Sequence, residues 1–157
     1  IRNHGTTTNI DPIYSLLGCN FKFTDLLASI GMVQLAQAKR RINHVNQIYA
    51  KYTNIIESLP FVNIIPVDTS NGEIPLYIEV LCQYRNKLIN FLNTQKIELR
   101  PSLPSLHSAS YFEASDKFEN SNIFEEQGVI LPCGPAQSLE NINCVIDALE
   151  LFGRENR

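Results

Sequence analysis

Residues 18–35 have the sequence Gly-Cys-Asn-Phe-Lys-Phe-Thr-Asp-Leu-Leu-Ala-Ser-Ile-Gly-Met-Val-Gln-Leu. The stretch joins a turn that contains glycine and asparagine to a helix. Thr24 and Asp25 are residue types that cap the free amides of a first helical turn, so we expect the helix to begin there. A turn that carries Asn20 among aromatic residues, just before a long helix, predicts a backbone placed for a ligand or a partner subunit.

The long helix is predicted over residues 24–59, where apolar residues recur at spacings of three and four. Pro60 ends it, because the residue before a proline is disfavoured in the helical conformation. Its length predicts a bend or break within residues 38–41. Gly31 costs up to about 1 kcal/mol of helix propensity, so we expect another element to pack closely against it. His44 falls on the polar side of the helix and is predicted to be a surface residue.

After Pro60 the pattern changes to short β-branched segments, which predict a sheet. Strands are expected at residues 61–67, 74–82, 97–100 and 129–131, and helices at residues 83–94 and from the Ser138 N-cap to a stop at Gly153. Residues 103–122 are expected to form a long loop. The fold class is therefore α/β, with a long helix followed by a small α/β sandwich: a mixed or antiparallel sheet with helices on one face.

Composition excludes several classes of function. The chain has 157 residues, 44% hydrophobic and 18% charged, which is typical of a globular protein. Its formal net charge of −3 gives no basic surface for nucleic acid or anionic membrane. No apolar run approaches the roughly 20 residues of a membrane span. The four cysteines lack metal-binding spacing, so we predict no metal site and free thiols in a reducing cytoplasm.

Five separated segments, in order along the chain, resemble those of the DegT-type sugar-nucleotide aminotransferases, which use pyridoxal phosphate. The segments are Arg2-Asn3-His4-Gly5; Gly18-Cys19-Asn20-Phe21-Lys22; Arg40 or Arg41 followed by Tyr49 or Tyr52; Arg100-Pro101 through Pro104-Ser105-Leu106-His107; and Gly128-Val129-Ile130-Leu131-Pro132 followed by the Ser138 helix.

The resemblance implies the C-terminal part of a longer fold-type I enzyme. Residues 1–59 would be an interface loop and helix that join a large domain, and residues 60–157 the small domain. The lysine that forms a Schiff base with the cofactor would lie upstream, and no lysine of this chain has the matching context. We therefore assign no catalytic residue here and expect no transamination by this chain alone.

The resemblance also implies four binding residues. Asn20 would reach the cofactor phosphate of the neighbouring subunit, and Lys22, in place of the commoner arginine, would neutralise phosphate charge. His107 would hydrogen-bond a hydroxyl or diphosphate oxygen of the sugar nucleotide, and Arg100 would approach its diphosphate.

The implied protein is a cytoplasmic homodimer with shared active sites. It would transfer an amino group from glutamate to a keto-sugar nucleotide for surface-polysaccharide synthesis. A truncated, non-catalytic dimerisation or binding domain of the same family is the alternative, and the long helix would then be its partner surface. A sensor, or a dehydratase with histidine in place of the upstream lysine, also stays open.

Overall fold

The computed structural model describes residues 17–19, 23–111 and 118–156. The helices are α1 (Asp25–Ile56), α2 (Arg85–Thr94), α3 (Glu119–Gln127) and α4 (Leu139–Glu155), and the strands are β1 (Val62–Ile64), β2 (Ile78–Cys82), β3 (Arg100–Pro101) and β4 (Gly128–Leu131). The chain divides into two compact units, Ile1–Lys39 and Arg40–Arg157. The predicted domain boundary at residues 59 and 60 concerns the junction with a larger domain and stays a prediction.

The sheet of the second unit is antiparallel, with its strands in the order β1-β2-β4-β3. Its register pairs Ile78 with Leu131 and Val80 with Val129, so these four side chains share one face. Pro101 is tolerated in β3 because an edge strand has a free side that needs no amide donor. The described sheet and helices confirm the predicted α/β class. A mixed or an antiparallel sheet was expected, and the sheet is antiparallel.

The core of the second unit lies between this sheet face and helices α1, α2 and α4. Its fully buried side chains include Ile48, Tyr52, Val80, Leu88, Leu92, Val129, Ile142, Leu149 and Phe152. The Phe152 ring lies 5.1 Å from the Phe61 ring and 5.5 Å from the Phe91 ring, measured between centroids. Buried Tyr52 donates a hydrogen bond of 2.9 Å to the carbonyl of Pro132, which satisfies its hydroxyl inside the core.

Helix α1 begins where the sequence predicted, since the Thr24 hydroxyl accepts a 3.3 Å hydrogen bond from the amide of Leu27. The helix is one uninterrupted run, so no break occurs within residues 38–41, and the bend expected there as the other alternative stays a prediction. A Cβ added to Gly31 would lie 3.6 Å from the Phe23 ring, which is an ordinary van der Waals distance. The described residues therefore show no close approach at Gly31. His44 is half-buried rather than on the surface, because its Nε2 lies 2.7 Å from the carbonyl oxygen of Gln137.

Two further predictions needed correction. Part of the long loop expected at residues 103–122 belongs to α3, which begins at Glu119. The stop at Gly153 was also wrong, because α4 continues to Glu155. A Cβ at Gly153 would lie 2.9 Å from the Phe61 ring, so glycine there permits a close approach between α4 and Phe61 instead of ending the helix.

Candidate functional site

The two predicted cofactor contacts, Asn20 and Lys22, lie outside the described residues. The described feature nearest to them in sequence is the start of α1, with Thr24 as its cap. Their assignment to the cofactor phosphate therefore stays a prediction.

The predicted sugar-nucleotide residue His107 lies in a segment that we call the His107 loop, residues 102–109. The loop is fixed at its start, because the Ser102 amide donates a 2.9 Å hydrogen bond to the carbonyl of Gly128. It closes in a short helical turn, Leu106–Ser108, in which the Ser108 hydroxyl donates to the carbonyl of Ser105 at 2.7 Å. These bonds hold the segment, which contains Pro104, in one defined path.

Ser105 joins the His107 loop to helix α3 by two hydrogen bonds. Its amide donates to Oε2 of Glu125 at 3.2 Å, and its hydroxyl donates to the carbonyl of Ser121 at 3.0 Å. Ser105 is only 9% exposed, the one buried polar residue among those described. Buried polar groups are costly without partners, and here both the amide and the hydroxyl of Ser105 have one.

His107 itself is half-buried and packs against an aromatic ring. Its imidazole centroid lies 4.9 Å from that of Phe118, with 33° between the ring planes. Hydrogen bonding by Ser105 holds the pKa of Glu125 below its usual range, and electrostatic interaction with His107 and Arg85 acts in the same direction. At neutral pH this part of the molecule therefore contains an ionised carboxylate beside an imidazole.

The second predicted sugar-nucleotide residue, Arg100, has different surroundings. It is exposed on β3, opposite Ile130, and lines an open cleft of about 660 Å³. The cleft runs between the end of β4 and the start of α4, and its polar lining includes Lys96, Glu98, Gln137 and Asn141. His107 is not among the residues that line it. The described contacts therefore do not bring Arg100 and His107 together.

Sequence reasoning missed three residues of this region: Glu125, Arg85 and Phe118. Arg85, at the start of α2, donates a hydrogen bond from Nη1 to the carbonyl of Glu125, and so links a third element to the loop and α3. No sequence signal identified Glu125 or Phe118, because α3 has little apolar periodicity and no fully buried residue.

The described residues contain no group of three histidine, cysteine, aspartate or glutamate side chains that could hold a metal ion. Cys82 and Cys133 are buried free thiols, and burial raises the pKa of both. Within the described ranges, no helix is both long and apolar enough to cross a membrane.

Comparison with solved structures identifies the fold. The fold matches S. venezuelae DesV with a TM-score of 0.85 at 20% identity, over 99% of this chain and 42% of that one. The chain thus has the fold of part of a fold-type I aminotransferase, as its sequence predicted.

The family follows from the sequence comparison. The chain belongs to the DegT/DnrJ/EryC1/StrS aminotransferase family, whose model matches residues 1–150. It is 27% identical to the GDP-perosamine synthase of Escherichia coli O157:H7 over 143 residues, 88% of this chain and 39% of that protein. It is also 27% identical to the GDP-perosamine synthase of Vibrio cholerae over 159 residues, 92% of this chain and 42% of that protein. The chain spans about two fifths of the length of these curated relatives.

Proposed function

We propose that this chain is the C-terminal part of a pyridoxal phosphate-dependent aminotransferase that transfers an amino group from glutamate to a keto-sugar nucleotide. The observation that carries the proposal is the family match across residues 1–150. The two relatives named as GDP-perosamine synthases support a nucleotide-linked sugar as the acceptor. They also make a GDP-linked keto sugar the first substrate to try. We call the complete protein that would contain this chain the whole protein.

In this proposal the chain supplies binding groups, and the cofactor supplies the electron-withdrawing ring that makes amino transfer possible. Asn20 and Lys22 fit a phosphate by the chemistry of their side chains, an amide donor and a cation, although neither is among the described residues. His107 would donate to, or accept from, a sugar hydroxyl or diphosphate oxygen. Arg100 would approach the diphosphate as a fixed cation.

The whole protein is proposed to be a cytoplasmic homodimer, because Asn20 would serve the active site of the neighbouring subunit. The first half of α1 supports a role in contacts beyond this chain. Leu26, Met32 and Leu35 are 72%, 74% and 76% exposed, an unusual density of solvated apolar side chains for one short helical segment.

The reaction is tested by incubating the whole protein with pyridoxal phosphate, glutamate and a GDP-linked keto sugar. Amino transfer converts glutamate into 2-oxoglutarate in proportion to the amino sugar formed, so 2-oxoglutarate is the first product to measure. Formation that depends on both substrates supports the proposal. No formation with GDP-linked or other nucleotide-linked keto sugars contradicts it.

A second candidate is a truncated, non-catalytic dimerisation or binding domain of the same family. It is favoured by the exposed apolar first half of α1. Mixing this chain with the whole protein separates the candidates. Stable association that adds no activity supports the binding domain, whereas failure to associate removes it.

A further inference from the structure

One carboxylate of α3 accepts a hydrogen bond from the middle of the His107 loop. Oε2 of Glu125 accepts the 3.2 Å bond from the amide of Ser105, two residues before His107. The Ser105 hydroxyl bonds the carbonyl of Ser121, four residues before Glu125 and therefore on the same side of α3. Ser105 is thus attached to a single face of α3.

The imidazole is held from the same helix. Phe118, which directly precedes α3, lies with its ring centroid 4.9 Å from that of His107. The carboxylate of Glu125 interacts electrostatically with His107 and with Arg85. Arg85 in turn donates to the main chain of Glu125, which fixes the helix against α2. Displacement of the loop from Glu125 would therefore move the imidazole relative to the sheet and to α2.

The chemistry of the acceptor strengthens this attachment. A carboxylate accepts hydrogen bonds more strongly than a neutral oxygen does. The pKa of Glu125 is lowered, so the ionised form is present at neutral pH. Its neighbour Glu126 carries the same charge on the same helix but is exposed, which makes it a matched control.

We propose that Glu125 is a positioning residue, which fixes the His107 loop through Ser105 so that the imidazole faces the nucleotide sugar. This inference rests on the proposed function. It assigns Glu125 no contact with substrate or cofactor and no proton transfer. Its effect is exerted on the geometry of His107, and hence on substrate binding rather than on cofactor retention.

The test uses the whole protein with three variants: E125A, E125Q and the control E126A. E125A should raise the KM for the keto-sugar nucleotide about tenfold, the effect of losing one charge-assisted hydrogen bond, with kcat and cofactor retention within about twofold. E125Q retains an oxygen that can accept from Ser105, so its KM should stay within about threefold of wild type. E126A should match wild type. An unchanged KM in E125A, or an equal rise in E126A, would overturn the proposal.

Amide hydrogen exchange provides a readout that does not depend on the reaction. Exchange at Ser105 should accelerate about tenfold in E125A, while Ser102, whose amide bonds the Gly128 carbonyl, should serve as an unchanged reference. Unaltered Ser105 exchange would overturn the proposed attachment. If the wild-type protein transfers no amino group, the proposed function is contradicted. The ratio of Ser105 to Ser102 exchange would still decide whether Glu125 holds the loop.

Acidification tests the same bond without any substitution, should E125A fail to fold. The folded pKa of Glu125 is lowered, so its contribution is present above the unfolded pKa and is lost as pH falls through the folded one. His107 and Arg85 are the titratable groups that interact with it electrostatically. The ratio of Ser105 to Ser102 exchange should therefore rise once the pH falls below the usual pKa range of a glutamate carboxyl, and a flat ratio would count against the attachment.

Discussion

Replacing Gly128 with alanine tests how closely the start of β4, the end of α3 and the His107 loop are packed. A Cβ built on Gly128 would lie 2.4 Å from the main-chain oxygen of Phe124 and 2.3 Å from Oγ of Ser102. The first distance is about 1 Å shorter than an ordinary contact of 3.4 Å, and the atom concerned is backbone, which cannot rotate away. The substitution therefore has to displace α3, the strand or the loop.

The cost follows from the displacement required. Adding a methyl group to a well-packed site destabilises proteins by about 1–3 kcal/mol. We expect the upper end, about 3 kcal/mol, because the Gly128 amide also donates to the carbonyl of Phe124 and that hydrogen bond would be strained. The control is Gly134→Ala, since a Cβ there meets nothing within 4 Å. It should be neutral or stabilise by up to about 1 kcal/mol, through the lower entropy of the unfolded chain.

Urea denaturation followed by circular dichroism measures both variants. With an m-value of about 2 kcal/mol/M, G128A should lower the midpoint by about 1.5 M, and G134A should leave it unchanged or slightly higher. Midpoints of the two variants within about 0.25 M of each other would refute the reasoning, because the close approach at Gly128 would then impose no constraint.

Four further outcomes are expected. Phe152→Ala should lower the free energy of unfolding by about 3–5 kcal/mol in the same assay, because a ring in the centre of the core is lost. Ser138→Ala should cost about 1 kcal/mol, because the Ser138 hydroxyl caps α4; a loss below about 0.3 kcal/mol would contradict the cap. The thiols of Cys82 and Cys133 should react with a thiol reagent only on unfolding, because burial raises their pKa and blocks access; reaction in the native state would contradict that. Asn20→Ala in the whole protein should weaken pyridoxal phosphate retention, and unchanged retention would remove Asn20 from the site.

The elements that the sequence predicted well are those whose pattern is set by burial on one side. Residues 78, 80 and 82 are buried and alternate with less buried neighbours along β2. In the sequence, this strand lies in a segment rich in β-branched and other apolar residues, which predicted it. The last helix was equally clear, since Ser138 caps it and the apolar residues that follow recur with helical spacing. Such patterns are local, so one sequence is enough to detect them.

The errors arise where distant residues determine the local structure. Helix α3 lacks a buried apolar stripe, because it contacts the rest of the protein partly through Ser121 and Glu125 and their polar bonds to Ser105. Gly153 resembles a helix stop in the sequence, but its lack of a side chain instead accommodates Phe61. Neither contact can be inferred from sequence spacing.

The candidate site was predicted to a smaller extent. The resemblance of Pro104–His107 to the family loop made His107 a candidate, and its role stays a prediction. The resemblance said nothing of Glu125, which reaches the loop only through the folded chain. Arg100 was predicted together with His107 as a sugar-nucleotide contact, and the structure places it at a separate cleft. Its role, like those of Asn20 and Lys22, stays a prediction.

The proposed whole protein moves nitrogen from glutamate to a nucleotide sugar. Incubating the whole protein with ¹⁵N-labelled glutamate, pyridoxal phosphate and a GDP-linked keto sugar, followed by mass spectrometry of the nucleotide sugar, tests this claim most directly. The proposed reaction yields an amino sugar that carries the label, in an amount equal to the 2-oxoglutarate formed. A nucleotide sugar that stays unlabelled while the protein holds its cofactor and binds the substrate would contradict it.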